Sequence, residues 1–149
     1  MLSLALASEL KEAGLVWRPA LHDFFAIPSS DLEERVFVVA DMTIDVQKLF
    51  GRDMITFNGA VEWSLDYIMI ADVVWMPTEA QLRELLQDRL LAESQPAVAL
   101  VGYLDGYQCQ IQTADGPRTF EALTAADAYG AALLFLLDGS APERPDLSA

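Results

Sequence analysis

Few residues in this chain have the type and spacing to do chemistry. His22-Asp23 is its one histidine–carboxylate pair. A neutral imidazole held by a carboxylate can act as a general base near neutral pH. It needs a nucleophile or an activated water beside it, and no Gly-x-Ser-x-Gly elbow or comparable motif accompanies the pair. Cys109, the single cysteine, sits between glutamines and lacks the cationic neighbours that favour a thiolate. Its alternation with Tyr107 and Ile111 places it on an apolar strand face as a small hydrophobe. One cysteine makes no internal disulfide, and with a single histidine it completes no zinc set. Asp41, Asp45 and Asp53 could gather around a hard cation, but the glycine and terminal glutamate of a calcium loop are missing. Asp66 and Asp72 would meet as a carboxylate pair if the chain doubled back between them. Trp17, Trp63 and Trp75, with Tyr67 and Tyr103, could line a ligand pocket, although aromatics at alternating strand positions more often build core. Gly102, Gly106 and Gly116 fall at strand or turn positions and form no phosphate loop. The sequence therefore assigns no catalytic, cofactor-binding or metal-binding residue.

The elements that would position these residues read most clearly at the C-terminal end. Tyr107, Cys109, Ile111 and Thr113 alternate with Gln108, Gln110 and Gln112, so a strand there has one apolar and one wet face. Asp105-Gly106 predicts a two-residue hairpin turn in front of it. Ala114-Asp115-Gly116-Pro117 predicts a second turn, leading into a short strand from Arg118 to Ala122. Thr124 then caps a helix that is apolar on nearly every side and ends at Gly139, with Asp127 in its first turn. The all-round apolarity of this helix predicts burial against the sheet on one side and against another helix or a second subunit on the other.

Further upstream, Thr78 opens a helix with a Leu82, Leu85, Leu86, Leu90 stripe, and Gln81 stands at capping-box spacing. Residues 3–13 form another helix, stopped by Gly14. Phe24 to Ile27 and Arg35 to Ala40 read as strands, the second apolar on both faces and so central. Residues 43–53 fit a short helix or an irregular loop closed by Gly51. Asn58-Gly59 predicts a hairpin that joins a strand ending at Phe57 to one beginning at Val61. Residues 68–75 are too uniformly apolar to give a period.

The totals bound the rest. The 149 residues are 53% hydrophobic, against an average of about 45–50%, which is enough for one domain with a real core. Net charge is -14, from 23 acidic and 9 basic residues. Such a chain repels nucleic-acid phosphates and anionic membranes. A basic protein is the partner its charge would suit, but no dense acidic run exists: the longest cluster is Asp31, Glu33 and Glu34, a solvated turn. No signal peptide is visible at residues 1–10, and the apolar run Ala128 to Leu137 is far short of the ~20 residues that span a bilayer. These features suit a cytoplasmic protein.

Two segments carry a resemblance. One is Val74-Trp75-Met76-Pro77-Thr78-Glu79-Ala80-Gln81-Leu82-Arg83-Glu84-Leu85-Leu86. The other is Phe120-Glu121-Ala122-Leu123-Thr124-Ala125-Ala126-Asp127-Ala128 and the apolar helix after it. Together they resemble a loose group of small bacterial and phage-borne proteins, in which a tryptophan–proline step opens a leucine-rich helix and a meander precedes a terminal helix. The resemblance covers about half the chain. It implies an α+β fold and brings no catalytic residue with it. The resulting expectation is a single α+β domain over residues 1–139: a mainly antiparallel sheet with helices on one face, followed by a flexible tail at 140–149. Function is expected to be that of a non-catalytic protein-interaction or structural module that dimerises through the C-terminal helix. The alternatives are a ligand binder with an aromatic-lined pocket and an acidic inhibitor of a basic protein.

Overall fold

The computed structural model describes residues 1–28, 36–39, 44–49, 51–57, 67–92 and 97–138. Along them run α1 (Leu4–Glu12), β1 (Phe24–Ala26), β2 (Val36–Val38), β3 (Ile44–Leu49), β4 (Arg52–Phe57), β5 (Tyr67–Met69), β6 (Val74–Trp75), α2 (Glu79–Ala92), β7 (Val98–Tyr103), β8 (Gly106–Thr113), β9 (Gly116–Ala122) and α3 (Ala125–Asp138). A 3-10 turn at Ile70–Asp72 separates β5 from β6. The fold is α+β. Its sheets are antiparallel and three-stranded, in the orders β2-β1-β6, β3-β4-β5 and β7-β8-β9. The residues group into two compact units: Met1–Leu15 with the chain from Glu79 onward, and Val16–Thr78. No helix among the described residues is long and apolar enough to cross a membrane. The tail expected at 140–149 lies outside the described residues.

In the first unit the β8 alternation does what its period requires. Cys109, Ile111 and Thr113 are buried under α3, and the three glutamines occupy the opposite face. The apolar girth of α3 has an explanation within the unit. α1 and α2 pack against it as well as β8 and β9, so Ala125, Ala126, Ala128, Tyr129, Ala132 and Leu133 are all buried. α2 contributes Leu82, Leu86 and Leu90 to the core. At Gly130, a Cβ would stand 2.8 Å from side-chain carbons of both Leu2 and Leu6. The bare backbone there lets α1 lie close. Ser3 caps α1 by accepting from the Leu6 amide, and its own amide donates to Asp127 Oδ1 at 2.8 Å. The Asp127 amide in turn donates to Thr124 Oγ1, the expected cap of α3. α1 ends in a Schellman motif at Gly14, with the Leu15 amide on the Leu10 carbonyl and the Gly14 amide on that of Lys11.

The two hairpins of this sheet share one device. Tyr103 pairs with Gly106 and Thr113 with Gly116, so the turn residues are Leu104-Asp105 and Ala114-Asp115. The expected Asp105-Gly106 turn is therefore one residue earlier. Neither Leu104 nor Asp105 has a positive φ; the unusual backbone falls on Gly106 (φ +158), the first residue of β8. A Cβ there would meet the Ala122 carbonyl oxygen at 2.7 Å. The second turn is closed by Thr113 Oγ1, which donates to the Gly116 carbonyl at 2.8 Å.

In the second unit Phe25 is fully buried. It stacks on Phe37 at 5.5 Å between ring centroids and meets Trp17 at 5.6 Å, with Ile27, Val39 and Val73 around it. Burying such a side chain is worth about 1.5–3 kcal/mol. Three sequence expectations need correction here. β2 is an edge strand and β1 the central one; Val36 and Val38 are each 37% exposed, and Phe37 alone turns to the core. Of residues 43–53, those described are neither helix nor irregular loop, because β3 and β4 pair along their whole length from Ile44–Phe57 to Leu49–Arg52. Lys48 breaks the Ile44, Val46 alternation, so the ladder rather than the local pattern makes this strand. Finally, a two-residue turn at Asn58-Gly59 would pair Thr56 with Val61, but Thr56 pairs with Tyr67. Asn58-Gly59 itself lies outside the described residues.

Candidate functional site

His22 and Asp23 are neighbours in sequence and separate in role. Asp23 is buried. Its Oδ2 accepts from the indole Nε1 of Trp17 and from the Ala20 amide, both at 3.0 Å. The Asp23 amide donates to the Ala20 carbonyl at 3.1 Å, so residues 20–23 close on themselves from both ends. His22 is exposed, holds φ +71 and fixes its amide on the Val39 carbonyl at 2.8 Å. The carboxylate thus secures a turn and an indole rather than orienting an imidazole. The pair was visible in the sequence, but the Trp17 partner six residues upstream was not. Its signal would have been a half-buried indole donor in need of an acceptor.

Cys109 is fully buried. Desolvation pushes its thiol up to about 11, so it stays protonated at neutral pH. The Tyr129 hydroxyl is also raised, first by burial, then by the charges of Cys109 and Glu79, with Arg83 opposing them.

Among the described residues the acids do not converge. Asp41, Asp31, Glu33, Glu34 and Asp66 lie outside the described residues. Asp45 is opposite Thr56 and Asp53 opposite Lys48, positions on opposite faces of the β3–β4 ladder. Asp72 is exposed on the 3-10 turn. No group of three metal-ligating side chains occurs among the described residues.

The aromatics divide in the same way. Trp17 belongs to the Phe25 stack, and Trp75 sits on β6 opposite Phe25 with its Nε1 buried and unpartnered among the described residues. Tyr103 ends β7 in the other unit, and Tyr67 starts β5. Trp63 lies outside the described residues.

What does assemble is a surface on the meander sheet. On its glutamine face, Gln108 Oε1 accepts from Gln110 Nε2 at 2.8 Å and from the Tyr103 hydroxyl at 3.4 Å, while Gln108 Nε2 donates to Glu121 Oε1 at 3.2 Å. The ladder puts Ala99, Val101 and Tyr103 on one side of these glutamines and Pro117, Thr119 and Glu121 on the other. At the end of the sheet near the first turn, large apolar side chains stand in solvent. Leu104 is fully exposed, Leu123 83% and Tyr103 56%. Tyr107 joins them at this end, its ring 3.5 Å from where a Gly102 Cβ would be. The set offers shape, amide hydrogen bonds and apolar area. The sequence showed the wet glutamine face, but not that Leu123, 19 residues from Leu104, shares an end with it. The chain matches no protein-family model, no curated protein and no solved structure.

Proposed function

We propose that this chain is a non-catalytic, cytoplasmic module that works through protein contacts and self-associates. The observation that carries the reading is the exposed meander surface: Tyr103, Leu104, Tyr107 and Leu123 gathered at one end of the sheet, on a chain whose net charge is -14. Solvated apolar groups of this size gathered in one place suit a docking surface. The groups best suited to chemistry are otherwise occupied. The Asp23 carboxylate holds Trp17 and a turn, and the Cys109 thiol is buried and protonated. The contact surface favoured is the meander rather than α3, because α3 directs its residues up to Leu133 into its own unit. Size-exclusion chromatography with light scattering at micromolar concentration tests the reading. A mass above one chain is expected; a strict monomer removes self-association.

A further inference from the structure

The meander sheet has two edges, and they are built differently. β9 is blunted: Pro117 has no amide hydrogen to offer, and Arg118 and Glu121 place charge along it. β7 has none of these devices. Its six residues, Val98–Tyr103, include no proline and no charge. Among the described residues no backbone group outside β8 pairs with it. Ala99, Val101, Gly102 and Tyr103 are exposed along it. In an edge strand every second residue aims its N–H and C=O away from the sheet, so β7 presents a row of open donors and acceptors.

We propose that β7 is the interface strand of a symmetric dimer, pairing antiparallel with β7 of a second copy to join two three-stranded sheets into one of six. This rests on the self-association reading and names its surface and partner. Two arguments select a second copy. Antiparallel pairing of a strand with itself is self-complementary about a two-fold axis, as an isologous interface requires. Charge selects the place. Two chains of -14 repel each other, so they can meet only where acids are absent. β7 and the glutamines Gln108 and Gln110 beside it form such an uncharged strip, with Glu121 two strands away and Asp105 at the turn. Across the axis the uncharged side chains of Ala99, Val101 and Tyr103 would meet the same three residues of the second copy in reversed order.

The test combines light scattering with amide hydrogen exchange on the full chain at low and high concentration. For the wild type we expect twice the 16.4 kDa chain mass and exchange at residues 98–103 that slows as concentration rises. The double variant Ala99→Glu/Val101→Glu places like charges at the joint and should halve the mass with far-UV dichroism unchanged, its melting no longer rising with concentration. Thr119→Glu, on the β9 side, should remain dimeric. A dimer that survives the double variant, with β7 amides exchanging alike at both concentrations, overturns edge pairing while leaving self-association standing. A wild type that is monomeric throughout overturns both. If the double variant does not fold, exchange in the wild type decides: protection at 98–103 that is independent of concentration overturns the proposal.

Discussion

Asp23 and Cys109 show how burial decides what a reactive group can do. The buried Asp23 carboxylate accepts from two donors at the edge of a packed corner, the indole of half-buried Trp17 and the Ala20 amide. A buried donor left without its acceptor costs about 1–3 kcal/mol. Asp23→Ala should therefore lower unfolding free energy in urea by about 1–3 kcal/mol, most of it from the Trp17 indole. His22→Asn should stay within about 0.5 kcal/mol of wild type, because asparagine tolerates the left-handed backbone and the imidazole is exposed. Equal losses from the two substitutions would contradict the assigned roles. Cys109 makes a pH prediction. Its folded-state pKa lies above the unfolded value, so below pH 9 both states keep the proton and the thiol's contribution is complete. Between pH 9 and 11 only the unfolded chain releases it, and stability falls by about 2–3 kcal/mol in all. The raised Tyr129 hydroxyl acts in the same direction. Denaturation midpoints from pH 8 to 11 should show a shallower fall in Cys109→Ala than in wild type. Parallel curves would mean that the thiol is hydrated.

At the scale of elements, the two meander turns separate backbone strain from steric contact. Gly106 and Gly116 both have positive φ and both follow an aspartate. Only Gly106 has a backbone oxygen, that of Ala122, where a Cβ would go; Gly116 has nothing within 4 Å. A backbone carbonyl in a sheet ladder cannot step aside as a flexible side-chain end can. Gly116→Ala should cost about 1 kcal/mol, the strain of its φ. Gly106→Ala should cost about 2–4 kcal/mol, because the clash adds to the strain. Urea melts of the two variants compare them directly, and equal costs would mean the β8–β9 ladder gives way at Ala122. Legibility followed the same division. α2 and β8 could be read because each carries its period within itself, and α3 because an unbroken apolar run follows the Thr124 cap. β3 could not, because Lys48 interrupts its alternation and its hydrogen bonds come from β4. β2 was misplaced because an apolar run does not say how many neighbours it has. Val36-Phe37-Val38 looks central by composition and lies at an edge by pairing.

Across the whole molecule, charge is the pervasive feature. The excess of 23 acids over 9 bases makes every compact state of this chain repel itself. Salt shortens the reach of that repulsion, from a Debye length of about 30 Å at 0.01 M to about 8 Å at 0.15 M. The melting temperature should rise with sodium chloride over that range. An unchanged or falling value would mean that specific ion pairs outweigh the general repulsion. Self-association should strengthen with salt for the same reason.

Sequence alone determined the α+β class, the wet and dry faces of β8, the stripe of α2 and the caps of α1 and α3. These follow from periodicity and from local hydrogen bonds a few residues long. Tertiary structure alone decided three things: that α3 is wrapped by α1, α2 and the sheet, that Asp23 serves Trp17, and that Leu104 and Leu123 share one exposed end. Each depends on which distant segments pack together. Contacts across long stretches of chain are selected by total buried area and ladder register, and neither is written in any local pattern.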